Sequence, residues 1–408
     1  MNYLVLGFRN LLRNRRRSSH TIMGIAVGFA SLCLFGGYVH NVFEGLTRQA
    51  IQGELLGHLT IMKRGLQTEG KIHPERYLFS KADIAKIGEV VRAYPHFRLI
   101  TPRLGISGLI SNGHASSIFV AEGVVPSDID ILKGDFRRNM SGTLSDAKPT
   151  SISIAEGLST ILQLKPGGQA AVLVSTVSGQ ANASDVDISD TFNTGSAGTN
   201  DKFVYMPLSL AQSLYDVDGA DRLNVLLDDR ARTQEARDLF QRDLAAAGFD
   251  VEIQTWEDLS AFYRQVRSML SMIFAFILSL VITSALMSVV NAMTMAVVER
   301  TREIGTLRAI GVRRLGVIKL FGAESLLVVL GGCIAGGLIT LLVRFVINSL
   351  NISYTPPNST ALVPLMIDLD VARIGVSLFF MSMVGLAAGL APARRAANRD
   401  IVESLTHI

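Results

Sequence analysis

Residues 269–298 read MLSMIFAFILSLVITSALMSVVNAMTMAVV, and residues 299–311, directly after them, read ERTREIGTLRAIG. The first run carries no charge and exceeds the ~20 residues that a helix needs to cross a bilayer. The second packs Glu299, Arg300, Arg302, Glu303 and Arg308 into a stretch that cannot enter lipid cheaply. This junction between a membrane span and a charged loop decides the fold class.

Working outward, three more runs have the same character: Thr21–Val39, Val317–Ile347 and Val371–Ala391, none with an interior proline. The first is too long for a signal-peptide core and no small-residue cleavage site follows it, so it reads as an uncleaved anchor. Clusters of arginines flank the spans on one side. They are Arg9, Arg13, Arg15, Arg16 and Arg17 before the first span, Arg300, Arg302, Arg308, Arg313 and Arg314 between the second and third, and Arg394, Arg395 and Arg399 after the fourth. The loop 348–370 has no Lys or Arg. By the positive-inside rule both termini are expected in the cytoplasm of a bacterial inner membrane and residues 42–266 in the periplasm.

The expected fold is therefore an integral membrane protein with four transmembrane α-helices and a large α+β periplasmic domain. The expected segments are a cytoplasmic amphipathic helix (1–20), a first span (21–41), the periplasmic domain (42–266), a second span with an outer stalk (267–298), and a cytoplasmic loop helix (299–316). A third span (317–347), a short periplasmic loop (348–370), a fourth span (371–391) and a cytoplasmic tail (392–408) complete the chain. The stretch from Glu257 to Val298 contains no proline or glycine and predicts one helix of roughly 60 Å. Leu4, Leu6, Phe8, Leu11 and Leu12 among arginines predict a helix on the membrane surface.

The polar region carries strand signals over Leu99–Ile110 and Ser117–Val125, joined by an Asn112-Gly113 turn. Apolar spacing predicts helices over Lys81–Tyr94 and Thr233–Ala247, the latter stopped by Gly248. Residues 178–201, rich in Gly, Ser, Asn, Thr and Asp, predict a long loop. The two cysteines, Cys33 and Cys333, fall in apolar runs, so no disulfide framework exists in the polar region.

No Gly-x-x-x-x-Gly-Lys-Ser/Thr occurs, so the chain has no loop of its own to cradle ATP phosphates. It has no His-Glu-x-x-His or Gly-x-Ser-x-Gly, and the histidines show no metal spacing. No catalytic residue, bound cofactor, metal or nucleic-acid partner is expected. In the loop, Ile304, Leu307 and Ile310 or Val312 recur at helical spacing, with Arg300, Glu303 and Arg308 elsewhere around the turn. Gly305 permits close approach and Gly311 a helix stop. A short helix with one apolar and one charged face suits docking into a protein groove.

Within the spans, small residues lie four apart at Gly24 and Gly28, Ser284 and Ser288, Gly332 and Gly336, and Gly385 and Gly389, which lets helix backbones approach. Most are expected to pack within the chain and a minority to line a subunit interface. Glu324 is an acid inside a span. It either snorkels toward Lys319 or Arg314 or acts as a latch at the inner end of the bundle. Arg344 is expected to snorkel.

Three stretches resemble the FtsX-like ABC transporter permease family, which includes macrolide exporters and lipoprotein-releasing permeases. They are Phe8–Arg17 with Thr21–Gly28, Glu299–Gly311, and Pro392–Ala397. Residues 192–207, from Phe192-Asn193-Thr194-Gly195 to Val204-Tyr205-Met206-Pro207, resemble the lipoprotein-releasing branch. Trp256 stands where many members carry a tryptophan. Asp400-Ile401-Val402 lacks the proline common in the tail.

The resemblance implies mechanical transmission: ATP and magnesium bind on two copies of a separate ATPase subunit, which dock on Glu299, Arg300, Arg302, Glu303, Ile304, Gly305, Leu307, Arg308 and Gly311. It implies a second permease copy or a paralogue. A periplasmic adaptor, chaperone or substrate-binding protein is a further candidate partner. The cargo is expected to be lipoprotein-like or amphipathic, entering from the outer leaflet between the first span of one subunit and the second span of its neighbour. Leu32, Phe35, Phe274 and Ile277 are the candidate lining. Efflux of a small molecule or peptide with an adaptor and an outer-membrane channel, and transmembrane signalling to a periplasmic hydrolase, are the alternatives.

Overall fold

The computed structural model describes residues 3–13, 15–70, 72–134, 144–355 and 362–398. The expectations placed on Arg399 and on the tail from residue 400 fall outside them. The chain divides into two compact units.

One unit, Met1–Phe43, Val266–Ser353 and Pro364–Ile408, is helical. Four helices among the described residues are long and apolar enough to cross a membrane: Ser18–Gly53, Phe262–Glu299, Arg314–Ser349 and Val371–Asn398. They are called spans 1 to 4 here. A separate helix, Tyr3–Arg13, precedes them, and its exposed Val5, Phe8 and Leu12 fall on one helical stripe.

Three boundaries differ most from expectation, the first being that the helix of span 1 does not end at residue 41 but continues to Arg48. The long second helix starts at Ala261, not Glu257. Thr255 and Asp258 form a reciprocal capping box that opens a separate short helix, Trp256–Leu259, and Ser260 after it leaves helical geometry. The fourth span does not end at Ala391 but runs through Pro392 to Asn398. A proline inside a helix removes one backbone hydrogen bond, at a cost of about 3 kcal/mol. The buried Ala393, Ala396 and Ala397 beyond it hold the helix in the core of the bundle against that loss.

That core is built by Ile25, Phe29, Val289, Met293, Phe321, Val329 and Met381, with Cys33 and Cys333 buried among them as small packing residues. Most of the small-residue pairs close helix seams inside the chain. A Cβ on Gly332 would stand 2.5 Å from Ile25 Cγ2, and one on Gly336 2.6 Å from the Ala26 carbonyl oxygen. Gly28 meets Val281, Gly385 meets Val329 and Gly389 meets Ser325. Gly24 differs: it is exposed, and its Cβ would meet nothing within 4 Å.

The other unit, Glu44–Gln265 with Tyr354–Val363, is α+β. Its strands are β1 (Leu59–Lys63), β2 (Phe97–Ser111), β3 (Ser116–Val124), β4 (Ser151–Ala155), β5 (Gln169–Ser175), β6 (Ala181–Phe192), β7 (Phe203–Pro207), β8 (Arg222–Leu227) and β9 (Val251–Thr255). The order is β3-β7-β4-β6-β5-β2-β8-β1-β9, with β3 also pairing β2. The 15-residue β2 therefore serves two substructures.

Its first half, Phe97–Arg103, pairs β8 and completes the antiparallel order β9-β1-β8-β2. With helices Lys81–Arg92 and Thr233–Ala246 this is the split βαβ pattern of a ferredoxin-like fold. Ile87, Val91, Phe240 and Leu244 from the helices meet Leu59, Ile61, Leu223 and Ile253 from the sheet. Ser80 caps the first helix with a reciprocal Asp83 box, and Gly248, at φ +84°, follows the second.

The second half of β2, Leu104–Ser111, pairs both β3 and β5, which closes β2, β3, β7, β4, β6 and β5 into a ring. Its interior holds Ile106, Ile110, Phe119, Ile152, Val172, Ile188 and Met206. This small barrel is inserted between the second and third strands of the ferredoxin-like order. The expected loop over 178–201 is overturned here, since Ala181–Phe192 is strand β6. Only Val186, Ile188, Asp190 and Phe192 turn inward, and the solvent-facing polar residues between them hide the alternation.

Candidate coupling site

Span 2 ends at Glu299, and Arg300 breaks the helix at φ −111°, ψ 18°. A new helix, Thr301–Ala309, starts at once. Thr301 ties the two together, its hydroxyl donating to the Val297 carbonyl at 3.0 Å. The short helix stops because Gly311 takes φ +98°, in the left-handed region that glycine enters without Cβ strain. The Gly311 N–H then bonds the Arg308 carbonyl, and the Val312 N–H that of Leu307.

The faces of this helix are not those that spacing suggested. Ile304 and Gly305 are buried in the chain's own core, and Ile304 belongs to the bundle cluster. Leu307 and Arg308 are half-buried. Arg302, Glu303, Thr306, Ala309, Ile310 and Gly311 are exposed, Ile310 to 74%. Ile304 and Ile310 therefore do not share a face. The outward surface combines opposite charges with one large apolar side chain. Glu299 is exposed, and Glu303 accepts from Arg13 of the N-terminal helix at 3.2 Å, an ion pair open to solvent.

Arg300 is the larger correction. It was expected on the docking face, but it is only 8% exposed and points into the bundle. One guanidinium nitrogen reaches the Glu324 carboxylate oxygens at 3.3 and 3.5 Å, and another reaches the Asn10 carbonyl at 3.4 Å. Glu324, 2% exposed, thus finds its partner neither at Lys319 nor at Arg314 but 24 residues upstream. Three elements converge on one guanidinium: the N-terminal helix, the junction after span 2, and span 3. The N-terminal helix is close enough that a Cβ on Gly7 would stand 3.4 Å from the Glu324 backbone nitrogen.

A buried ion pair is no guarantee of stability, because desolvation offsets much of the attraction. Its value lies in fixing one arrangement, since taking such a pair apart costs far more than the pair itself contributes. The loop helix is thereby tied to span 3 as well as to span 2.

At the other end of the spans, residues 367–373 form a second polar cluster that sequence reasoning missed. Asp370 pairs Arg373 at 2.9 Å, and Asp368 accepts from Asn41 at 3.0 Å. Gly37 in span 1 leaves room for the Asp368 backbone, which no Cβ there would allow. Arg344 does not snorkel away but donates to the Ile367 carbonyl at 2.9 Å. The Gly36-Gly37 pair was the available signal.

The candidate cargo lining is distributed differently from expectation. Leu32 is buried, and Phe35 stacks on Phe274 of the same chain with centroids 6.3 Å apart. Ile277 is half-buried. Phe35 and Phe274 thus join spans 1 and 2 of one chain. The cavity beside Leu32, lined also by Cys33, Gly36, Gly37, Asp370 and Arg373, measures about 10 Å³, barely room for one water.

Residues 18–243 match the family described as MacB-like periplasmic core domain, more than half of the chain. The chain belongs to this family of MacB-type, FtsX-like permeases. Residues 275–401 match the description FtsX-like permease C-terminal, which contains the loop helix and Glu324. The "Macrolide export ATP-binding/permease protein MacB" of Acinetobacter baylyi is 22% identical over 96% of this chain and 57% of its own length. "Macrolide export ATP-binding/permease protein MacB 1" of Aeromonas hydrophila is 32% identical over 29% of this chain and 16% of its own length. The chain thus spans little more than half the length of these curated relatives at most.

Among solved structures, the periplasmic region of MacB from Actinobacillus actinomycetemcomitans aligns with 53% of this chain and 94% of its own, at TM-score 0.38 and 13% identity. The extracellular domain of YknZ, described as a noncanonic ABC-type transporter from Gram-positive bacteria, covers 49% of this chain and 99% of its own, at TM-score 0.35 and 14% identity. Four candidate membrane helices joined to a mixed α/β domain of the MacB type are the architecture expected of an ABC-type permease.

Proposed function

We propose that this chain is the permease of an ATP-driven exporter that handles an amphipathic small molecule at the outer face of a bacterial inner membrane. The carrying observation is the outward surface Arg302, Glu303, Thr306, Ala309 and Ile310, on a helix pinned from behind by the buried Arg300–Glu324 pair. A nucleotide-binding subunit pressing on that surface moves spans 2 and 3 together. The curated relatives named for macrolide export favour efflux over lipoprotein release. The segment 192–207 no longer argues for lipoprotein cargo. Phe192, Phe203 and Tyr205 pack edge-on or tilted against one another with centroids 5.0–6.4 Å apart, and packing accounts for them.

Ile310→Asp is expected to weaken docking of the ATPase by about tenfold or more, since a desolvated apolar anchor commonly carries that much of an interface. Glu303→Lys should cost less and respond to salt, as charges at a rim do. Both leave the buried side of the helix untouched. The test is co-purification and ATPase-coupled efflux of a macrolide in cells carrying each variant. Native coupling in Ile310→Asp would move the docking surface elsewhere.

The proposed orientation, with both termini and the loop helix cytoplasmic and residues 42–266 periplasmic, rests on the arginine flanks. Cysteines placed at Asn112, half-buried in the turn between β2 and β3, and at the exposed Gly311 should label oppositely with an impermeant reagent in spheroplasts. Labelling of both from outside would overturn it.

A further inference from the structure

The helix Tyr3–Arg13 divides into three faces. On the first, Gly7 is buried against span 3, Leu11 packs on the bundle core, and the Asn10 carbonyl accepts from Arg300. Val5, Phe8 and Leu12, each about half exposed, form the second at i, i+3 and i+7. Arg9 and Arg13, one turn apart and both exposed, form the third. The exposed Arg15 and Arg16 follow it and open the helix of span 1. Arg15 donates through Nε to the Leu12 carbonyl at 3.2 Å, which joins the basic cluster to the apolar stripe.

Four guanidinium groups thus face outward, and one acid answers them. Glu303 on the loop helix holds Arg13 by a single 3.2 Å contact, and both side chains are more than half exposed, so water screens the pair. Among the described residues Arg9, Arg15 and Arg16 form no ion pair. An apolar stripe beside a row of arginines matches a molecule that is anionic at its head and apolar in its tails. Span 3, on which the helix packs, is long and apolar enough to cross a membrane, so lipid is within reach of the stripe.

We propose that this helix is a receptor for an anionic phospholipid, whose acyl chains lie on Val5, Phe8 and Leu12 and whose phosphate takes Arg9 and Arg13, and that this lipid competes with Glu303 for Arg13. A phosphate between two arginines one turn apart meets two planar donor forks, whereas Glu303 meets one through one oxygen. A free anion has nothing to lay on the apolar stripe, and a zwitterionic lipid brings its own cation to the arginines. Binding of the lipid releases Glu303 on the outward surface of the loop helix. Only the use of that released carboxylate in docking rests on the proposed function. The lipid site itself is tested on this chain alone, with no ATPase present, so the two readings fail separately.

The full chain in a neutral detergent is titrated against phosphatidylglycerol carrying a fluorophore on one acyl chain, and polarisation is read. Unlabelled phosphatidylglycerol should displace the probe, phosphatidylcholine should do so about tenfold more weakly, and inorganic phosphate should leave it bound. Arg9→Gln with Arg13→Gln should weaken binding by about tenfold or more, since each basic residue at an anionic surface contributes about fivefold. Arg394→Gln with Arg395→Gln, an exposed basic pair near the end of span 4, should change it by about twofold or less.

Glu303→Gln separates competition from simple attraction. Removing the competitor should strengthen lipid binding by about two- to fivefold, the range of an exposed ion pair. Should the Arg9 and Arg13 variant fail to fold, loss of affinity in the natural chain as salt is raised replaces it. Displacement by phosphatidylcholine or by phosphate as readily as by phosphatidylglycerol overturns the proposal. So does an equal loss in the two arginine double variants, an affinity that ignores salt, or binding in Glu303→Gln that is unchanged or weaker.

Discussion

Glu324→Ala is expected to destabilise the membrane unit by about 3–5 kcal/mol, the usual consequence of stranding one member of a buried ion pair. Arg300, 8% exposed, would then face a cavity, with the Asn10 carbonyl its one remaining acceptor among the described residues. Arg300→Ala takes the same buried ion pair apart from the other side. The two losses should not add, because they remove one interaction. The double replacement Arg300→Leu with Glu324→Leu should therefore be more stable than either single alanine variant, since neither residue then carries a buried charge. Thermal unfolding in detergent measures this. A double variant as unstable as the sum of the singles would mean that the pair is not a unit.

The same series separates stability from coupling. In the Leu–Leu variant the bundle stays packed, but the directional tie between the loop helix, span 3 and the N-terminal helix is gone. On the proposed function, its ATPase partner should still dock through Ile310 and still hydrolyse ATP, while export falls by about tenfold or more, as for a group whose loss uncouples motion rather than binding. Full export by the folded Leu–Leu variant would reduce Arg300 and Glu324 to packing residues. The charge exchange Arg300→Glu with Glu324→Arg is a weaker test, because the Asn10 carbonyl accepts only from a donor and would face a carboxylate.

The four spans were legible in the sequence because lipid imposes a length and a composition that few other structures share. Helices Lys81–Arg92 and Thr233–Ala246 were legible because their apolar residues recur at helical spacing, with Gly248 as a stop after the second. Strand β6 was not, because one of its faces is bathed in solvent and reads as loop. The barrel was not, because a pairing such as Leu104 with Gly123 on one edge and Gly108 with Val174 on the other is visible only once β2 is known to serve both.

At the coupling site, periodicity located the helix but assigned its faces wrongly. Ile304, Leu307 and Ile310 follow three-residue steps, which drift around a helix of 3.6 residues per turn. Over only two turns nothing in the pattern says which of them meets the bundle. Arg300 was counted among the docking charges because a charge beside a span normally seeks water. Its buried role needed Glu324, one acid among a run of apolar residues, and no local rule joins the two. That isolated acid was nonetheless the signal: an intramembrane carboxylate demands a partner, and only the choice of partner was beyond the sequence.

Acid should loosen the α+β unit through His58. This side chain is 7% exposed, and its Nδ1 accepts the Leu227 N–H at 3.0 Å, which requires the neutral ring. Burial first, and the nearby Arg230 guanidinium second, hold its pKa down from the ordinary 6.5 to about 4, against a smaller opposite pull from Asp229 and Asp228. Between these values the unfolded chain binds a proton that the folded chain refuses. The stabilisation from the neutral ring is complete above about pH 6.5, declines as the pH falls, and is gone below about pH 4. The full amount is about 3 kcal/mol. For a unit of this size that corresponds to a midpoint lower by about 6–12 °C. Trp256 reports it directly, since its backbone N–H donates to the His58 carbonyl at 3.2 Å and its indole is buried. Carboxylates elsewhere also titrate in this window, so the decisive quantity is a difference. His58→Asn places an amide oxygen near the Nδ1 position but cannot take up the proton. Its Trp256-monitored melting should fall less between pH 7 and pH 4 than that of the natural chain, by about the same 6–12 °C. Parallel pH profiles for the two proteins would mean that His58 is protonated in the folded state and that the Leu227 hydrogen bond is made differently.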